Sequence, residues 1–172
     1  MRQVAFGLGA NLGDRVAALQ GAVDLLAPHL DGPVVSSVYE SSPVGGVEQP
    51  DYANAVLVGA SDAEPSELLE LAHEAEQAWH RTREVRWGPR TLDVDVLVVG
   101  DLVSDDPVLT LPHPRIRERG FVLLPWAEAD PGATLPDGTR VADLASGWLA
   151  TFGSGGDDLV ERRTDVALVV TT

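Results

Sequence analysis

Two aspartates at alternate positions, Asp93 and Asp95, follow four arginines, Arg81, Arg83, Arg86 and Arg90, across a Gly88-Pro89 break. In a strand, side chains at i and i+2 share a face and stand roughly 6.6 Å apart along it. The two carboxylates then project together, while Val94 and Val96 turn the other way, into a core. Like charges this close require a cation between them. Hard divalent ions such as Mg²⁺ take oxygen ligands from one or two carboxylates plus substrate phosphates, and paired ions about 3.5 to 4 Å apart clamp a displacement at phosphorus. The arginines supply forked donors for phosphate oxygens. The pattern reads as a metal-polyphosphate site. The plainer alternative is that the aspartates keep one sheet face wet and the arginines offset an acidic chain.

The chain has 172 residues, a formal charge of -15 and no cysteine. That length suits one domain burying roughly 70% of its unfolded surface. Thiol catalysis, disulfides and Cys-type zinc sites are excluded. The acidity argues against a general nucleic-acid binder, whose surface needs a surplus of Lys and Arg. Lysine is absent, and the arginines concentrate in two groups, Arg81 to Arg90 and Arg115, Arg117, Arg119. A local basic focus suits a compact anionic ligand. The histidines, His29, His73, His80 and His113, lack i, i+4 ligand spacing, which argues against zinc. No apolar run has membrane-spanning length and the first residues lack a signal-peptide core, so the expectation is a cytoplasmic protein with no membrane partner.

These residues need a scaffold. Gln3 to Leu8 reads as a buried strand, and Gly7-Leu8-Gly9-Ala10-Asn11-Leu12-Gly13 as a tight strand-to-helix turn; the glycines match neither a dinucleotide fingerprint nor a Walker A loop. From Asp14, Val16, Leu19, Val23, Leu26 and Leu30 mark an amphipathic helix ended by Pro28 and Asp31-Gly32-Pro33. Val34 to Tyr39 and Tyr52 to Val58 read as strands joined by a loop long enough to carry function. Asn54 inside the second of them needs a hydrogen-bond partner, structural or ligand. Pro65 opens a helix with the buried stripe Leu68, Leu71, Ala72, Ala75 and Trp79. His73 and Glu76 lie on another of its faces, a solvated flank or a pair facing the arginine loop. His80 to Pro89 reads as a lid and Thr91 to Val99 as a strand, with Leu102-Val103 pairing back. The Pro-bracketed His113 is held in restricted backbone. Phe121 to Glu128 and Val141 to Leu149 read as helices, and Val166 to Val170 as an added edge strand. The order β-α-β-β-α-β predicts an α+β fold with a ferredoxin-like βαββαβ core: a mostly antiparallel sheet with helices on one face. The core spans about 3–150, and 151–172 adds an acidic Gly-rich joint and the extra strand.

The segment Arg86-Trp-Gly-Pro-Arg-Thr-Leu-Asp-Val-Asp-Val96 closely resembles the signature of the 6-hydroxymethyl-7,8-dihydropterin pyrophosphokinases of folate biosynthesis. Gly9-Ala-Asn-Leu12, Gln49-Pro-Asp-Tyr-Ala-Asn54, Leu111-Pro-His-Pro114 and Arg119-Gly-Phe121 agree in order and spacing, over roughly residues 3–130. The resemblance implies transfer of pyrophosphate from ATP to the hydroxymethyl group of a reduced pterin, releasing AMP. It implies that Asp93 and Asp95 hold two Mg²⁺ ions, and that Arg81 and Arg90 stabilise the charge developing on the transferred group. His73, Glu76, Arg83, Trp87, Arg90, Thr110, His113 and Arg119 match nucleotide-contacting positions. Ser41, Pro43, Val44, Tyr52, Asn54, Trp87 and Phe121 match the pterin pocket. Contact with other folate-pathway enzymes stays open. Three rival readings of the D-x-D pattern are a Mg-dependent nucleotide-sugar transferase, for which the chain is short, a phosphatase with an aspartyl nucleophile, whose apolar strand would precede the pattern where here Val96 to Val99 follows it, and a ferredoxin-like module that binds a nucleotide without turnover.

Overall fold

In a computed structural model, residues 1–43, 48–79, 91–153 and 159–171 are described. β1 (Arg2–Ala10) pairs on one side with β4 (Tyr52–Ser61) and on the other with β5 (Asp93–Val99). β4, the middle strand, is buried along most of its length. β2 (Asp31–Val35) and β3 (Tyr39–Ser41) both pair with β4, and β6 (Val160–Arg162) adds to β3, giving the order β5-β1-β4-β3-β6 with β2 also on β4. Every strand pairing among the described residues is antiparallel.

Four α-helices cover this sheet, and they do so on both faces, not on one as the sequence pattern predicts. α1 (Arg15–Leu26) and α2 (Pro65–Trp79) pack Leu19, Val23, Leu68 and Ala72 against Phe6, Leu8, Leu57 and Val96. α3 (Gly120–Ala129) and α4 (Val141–Phe152) pack Leu123, Trp126 and Trp148 against Ala5, Val56, Val58 and Leu97. The second pair escapes the pattern because α3 is apolar around most of its circumference and shows no single stripe. No helix among the described residues is long and apolar enough to cross a membrane.

Several boundaries differ from expectation for local reasons. Gly7 and Gly9 belong to β1 itself, and the turn into α1 comes later, at Gly13 with φ 66°. Asp14 caps α1, its side chain accepting the Ala17 amide at 3.0 Å. The strand expected over Val34 to Tyr39 is split: Ser36 Oγ accepts the Val56 amide at 2.9 Å, so a side chain stands in for the ladder between β2 and β3. Leu102 and Val103 form no strand, and the return pairing is a bridge between Ser104 and Leu111. The added edge strand is β6, not Val166 to Val170. Val169 has both its peptide groups taken by the Gln20 side chain, at 2.7 and 2.9 Å, and needs no strand partner.

Candidate active site

β5 positions the acidic pair. Val94 and Val96 are buried against the helices α1 and α2, while Asp93 and Asp95 are half-buried on the opposite face. A register shift between Ala5 and Phe6 in the β1–β5 pairing rephases the rest of β5, so Leu97 and Val98 both enter the core under α3. The alternation predicted from sequence therefore holds from Asp93 through Leu97 and breaks at Val98.

The ground beside the aspartates is bare. On β1, Gly9 stands opposite Asp93 and Gly7 opposite Asp95, and on its other side Gly9 stands opposite Asn54. Adjacent strands are about 4.8 Å apart, so Gly9 leaves a trough about 10 Å wide between Asp93 and Asn54, while the space over Gly7 is taken in part by the Leu97 side chain, 3.3 Å from where a Cβ would stand. The trough is the floor of a cavity of about 360 Å³. Its walls are Ser41, Ser42, Pro43 and Tyr52 at one end, Asp93 and Asp95 at the other, and Arg115, Glu118, Arg119, Phe121 and Val122 from the start of α3 and the residues before it.

Asn54 is 3% exposed. Its Nδ2 donates to Ser41 Oγ at 2.8 Å and to Tyr39 O at 3.1 Å. With both amide hydrogens committed, the group that remains for a ligand is the carbonyl Oδ1, which lies 3.6 Å from where a Cβ on Gly9 would stand. It is an acceptor aimed over the trough.

At the acidic end, Asp95 Oδ2 lies 3.7 Å from Arg119 Nη1 and 3.8 Å from His113 Nε2. Arg119 also places its guanidinium carbon 5.6 Å from the centroid of the Phe121 ring, a cation–π contact that fixes one against the other. His113 is tied to β5 by its amide, which donates to Leu97 O at 2.9 Å. Its Nδ1 accepts the Arg115 amide at 3.3 Å, which puts the proton of the neutral ring on Nε2, toward Asp95. Burial lowers the His113 pKa, the Arg119 and Arg115 charges lower it further, and Asp93 opposes them. The net shift is downward, which favours the neutral ring.

The donor set suits a hard divalent cation. It consists of carboxylate oxygens beside guanidinium groups, and no group of three or more His, Asp or Glu among the described residues makes a closed cage. Such a donor set could hold a divalent cation whose remaining coordination phosphate oxygens complete.

Of the residues singled out from sequence, Ser41, Pro43, Tyr52, Asn54, Asp93, Asp95, Arg119 and Phe121 line this one cavity. His113 stands behind it against Asp95. Glu76 also stands behind, its carboxylate accepting the Val94 amide at 2.9 Å. Thr110 donates to Asp106 O at 3.0 Å, and His73 is exposed on α2; neither lines the cavity. Val44, Arg81, Arg83, Arg86, Trp87 and Arg90, with the lid over His80 to Pro89, lie outside the described residues. Gly7, Gly9, Ser42, Glu118 and Val122 are lining residues that the sequence reading missed, and Arg115, which the sequence places in the second basic group, lines the cavity too. The glycines carried a signal, because two of them at i and i+2 in an apolar strand empty one stretch of one face.

The sequence model of the family described as 7,8-dihydro-6-hydroxymethylpterin-pyrophosphokinase (HPPK) matches residues 5–131. The chain is 42% identical over 158 residues to the 2-amino-4-hydroxy-6-hydroxymethyldihydropteridine pyrophosphokinase of Bacillus subtilis, covering 86% of this chain and 95% of that one. It is also 42% identical over 145 residues to the enzyme of the same name from Mycobacterium tuberculosis, covering 78% of this chain and 76% of that one. Its fold superposes with a TM-score of 0.70 and 12% identity on a crystallised HPPK-DHPS chain in complex with substrates, covering 88% of this chain and 44% of that longer one.

Proposed function

The chain belongs to the 7,8-dihydro-6-hydroxymethylpterin-pyrophosphokinase family, and from that premise we propose that the trough between Asp93–Asp95 and Asn54 is where its reaction takes place. The reaction is transfer of pyrophosphate from ATP to 6-hydroxymethyl-7,8-dihydropterin, giving AMP and the pterin diphosphate of folate biosynthesis. One observation carries the placement. A pair of carboxylates and a buried amide face each other across a floor left open at Gly9, with an aromatic wall alongside.

In this reading the pterin lies between Tyr52 and Phe121, offset-stacked as aromatic pairs prefer. Asn54 Oδ1 accepts from a ring N–H or amino group. A pterin edge bearing such donors fits, because the Asn54 donors are already engaged. Ser41, Pro43 and Val44 line the same half of the site. Asp93 and Asp95 would hold two Mg²⁺ ions, whose charge would offset that of the triphosphate. Arg119 and the neutral His113 donate to phosphate oxygens beside Asp95. Arg81 and Arg90 meet the charge that develops on the transferred group, and His73, Glu76, Arg83, Trp87 and Thr110 complete the nucleotide site. Such transfers depend on positioning and electrostatics more than on covalent chemistry. The scaffold is read as ferredoxin-like, with β1 and β4 central and β5 and β3 outside them, a reading supported by the strand order.

The test is incubation with ATP, Mg²⁺ and the pterin alcohol. AMP and the pterin diphosphate support pyrophosphoryl transfer. ADP in their place makes the chain a simple kinase, and no product leaves a binding module.

A further inference from the structure

The family match ends at residue 131, yet the stretch 159–171 is built into the wall behind the cavity. β6 pairs with β3 so that Val160 stands opposite Ser41, Glu161 opposite Glu40 and Arg162 opposite Tyr39. The next residue, Arg163, donates its amide to Val38 O at 2.8 Å. Its guanidinium is oriented by Asp165, with Nε donating to Oδ1 at 2.9 Å, and reaches Glu40 Oε1 at 3.4 Å.

The same Glu40 oxygen accepts Arg15 Nη2 at 2.7 Å, and Arg15 Nη1 donates to Asp51 O at 2.8 Å. Glu40 immediately precedes Ser41, and Asp51 immediately precedes Tyr52. Arg15 therefore ties together the backbone on either side of the connection between β3 and β4, while Arg163 holds the shared carboxylate from the opposite direction. The tail has an anchor of its own, since Leu168 is buried in the core beneath α1 and Gln20 clamps Val169. Arg163 is thus presented from a support that does not depend on the cavity.

We propose that Arg163 is a positioning residue for the acceptor half of the site. Through Glu40 it sets where Ser41 stands, and through the Ser41–Asn54 hydrogen bond it sets the direction of the Asn54 carbonyl. The C-terminal tail is then part of what selects the pterin. The inference rests on the pterin placement proposed above. Partly exposed ion pairs add little to global stability, but a shift of a few tenths of an ångström at a buried acceptor changes how well a ligand donor is met.

The test measures KM for the pterin alcohol and for ATP separately in Arg163→Met, Arg163→Lys and Asn54→Ala. Arg163→Met is expected to raise KM for the pterin about fivefold to tenfold, leaving kcat, KM for ATP and the thermal midpoint close to the parent values. Arg163→Lys falls between, because a point charge replaces an oriented fork. An unchanged pterin KM in Arg163→Met, beside a raised one in Asn54→Ala, overturns the role of the tail alone. Equal shifts in both KM values reduce Arg163 to general support. An unchanged pterin KM in Asn54→Ala overturns the placement of the pterin itself.

Discussion

The carboxylate of Glu76 on α2 accepts the amide of Val94 at 2.9 Å, and Val94 is the residue between Asp93 and Asp95. The helix thereby grips β5 at the peptide from which both acidic side chains spring. Glu76→Ala leaves that amide without its acceptor, a loss of about 1–3 kcal/mol where water cannot replace it. The expected result is a lower thermal midpoint together with a lower kcat, with Glu76→Gln recovering much of both because an amide oxygen still accepts. A contact with nucleotide alone would instead leave the midpoint unmoved and raise only KM for ATP.

A second grip works at the C-terminal end of α3. Ser37 donates both its amide, at 2.9 Å, and its hydroxyl, at 2.6 Å, to Glu128 Oε1, and Tyr39 donates its hydroxyl to Oε2 at 2.5 Å. Burial raises the Glu128 pKa, but these three hydrogen bonds outweigh it, with help from the Arg162 charge, and the net shift is downward. Burial and the Glu128 contact push the Tyr39 hydroxyl well above its usual range. A depressed carboxyl pKa contributes stability that is present above the ordinary glutamate value and lost as pH falls through the lowered one. Unfolding curves of the parent and Glu128→Gln are expected to differ most near neutrality and to converge in acid. Parallel curves at every pH would show that the charge of Glu128 contributes nothing.

Gly120 lies between Arg119 and Phe121, and a Cβ there would stand 2.3 Å from the Trp148 ring. The ring belongs to the α4 core and has little freedom to retreat, so Gly120→Ala must push the first turn of α3 outward. Overpacking of this kind costs about 1–3 kcal/mol. Because Arg119 and Phe121 move with that turn, KM for both substrates is expected to rise along with the loss in thermal midpoint. If only the midpoint falls, the two flanking side chains are positioned by something other than this close approach.

Much of this arrangement is legible in the residues alone. The period of two over Asp93 to Val96 gives the direction of both carboxylates, and the stripe Leu68, Ala72, Ala75 gives α2 and its buried face. What escapes is decided by single side chains acting on distant backbone. Ser36 Oγ divides one expected strand into β2 and β3, and β3 is too short to show any alternation. The β-branched run Val166 to Val170 has strand propensity, but Gln20, far away in sequence, takes the hydrogen bonds a strand would need. Glu118 is an exposed charge in a single 3-10 turn, and nothing in its neighbours marks it as cavity-lining.

Gly9 offers a direct probe of the floor. A Cβ there would meet Asn54 Oδ1 at 3.6 Å and Tyr52 Cδ1 at 3.9 Å, both ordinary contacts, so Gly9→Ala is accommodated by the fold and its methyl group enters the trough. Stability is expected to hold or rise slightly, since alanine restricts the unfolded chain more than glycine. KM for the pterin alcohol is expected to rise, because the methyl group occupies space between the Asn54 carbonyl and the acidic pair, and Gly9→Val is expected to raise it further.

Asp95 carries the heaviest demand. It faces Arg119 and His113 at 3.7 and 3.8 Å and is about a third exposed, so removing its charge alters folding stability little. The same removal strips one of the two carboxylates proposed to hold Mg²⁺ and leaves Arg119 without that counterion beside the phosphates. Asp95→Ala and Asp95→Asn are expected to keep a thermal midpoint near that of the parent and to lose AMP formation by several orders of magnitude, a loss seated in the transition state and visible in kcat. AMP production near the parent rate in either variant would remove the acidic pair from the chemistry and with it the placement of the site.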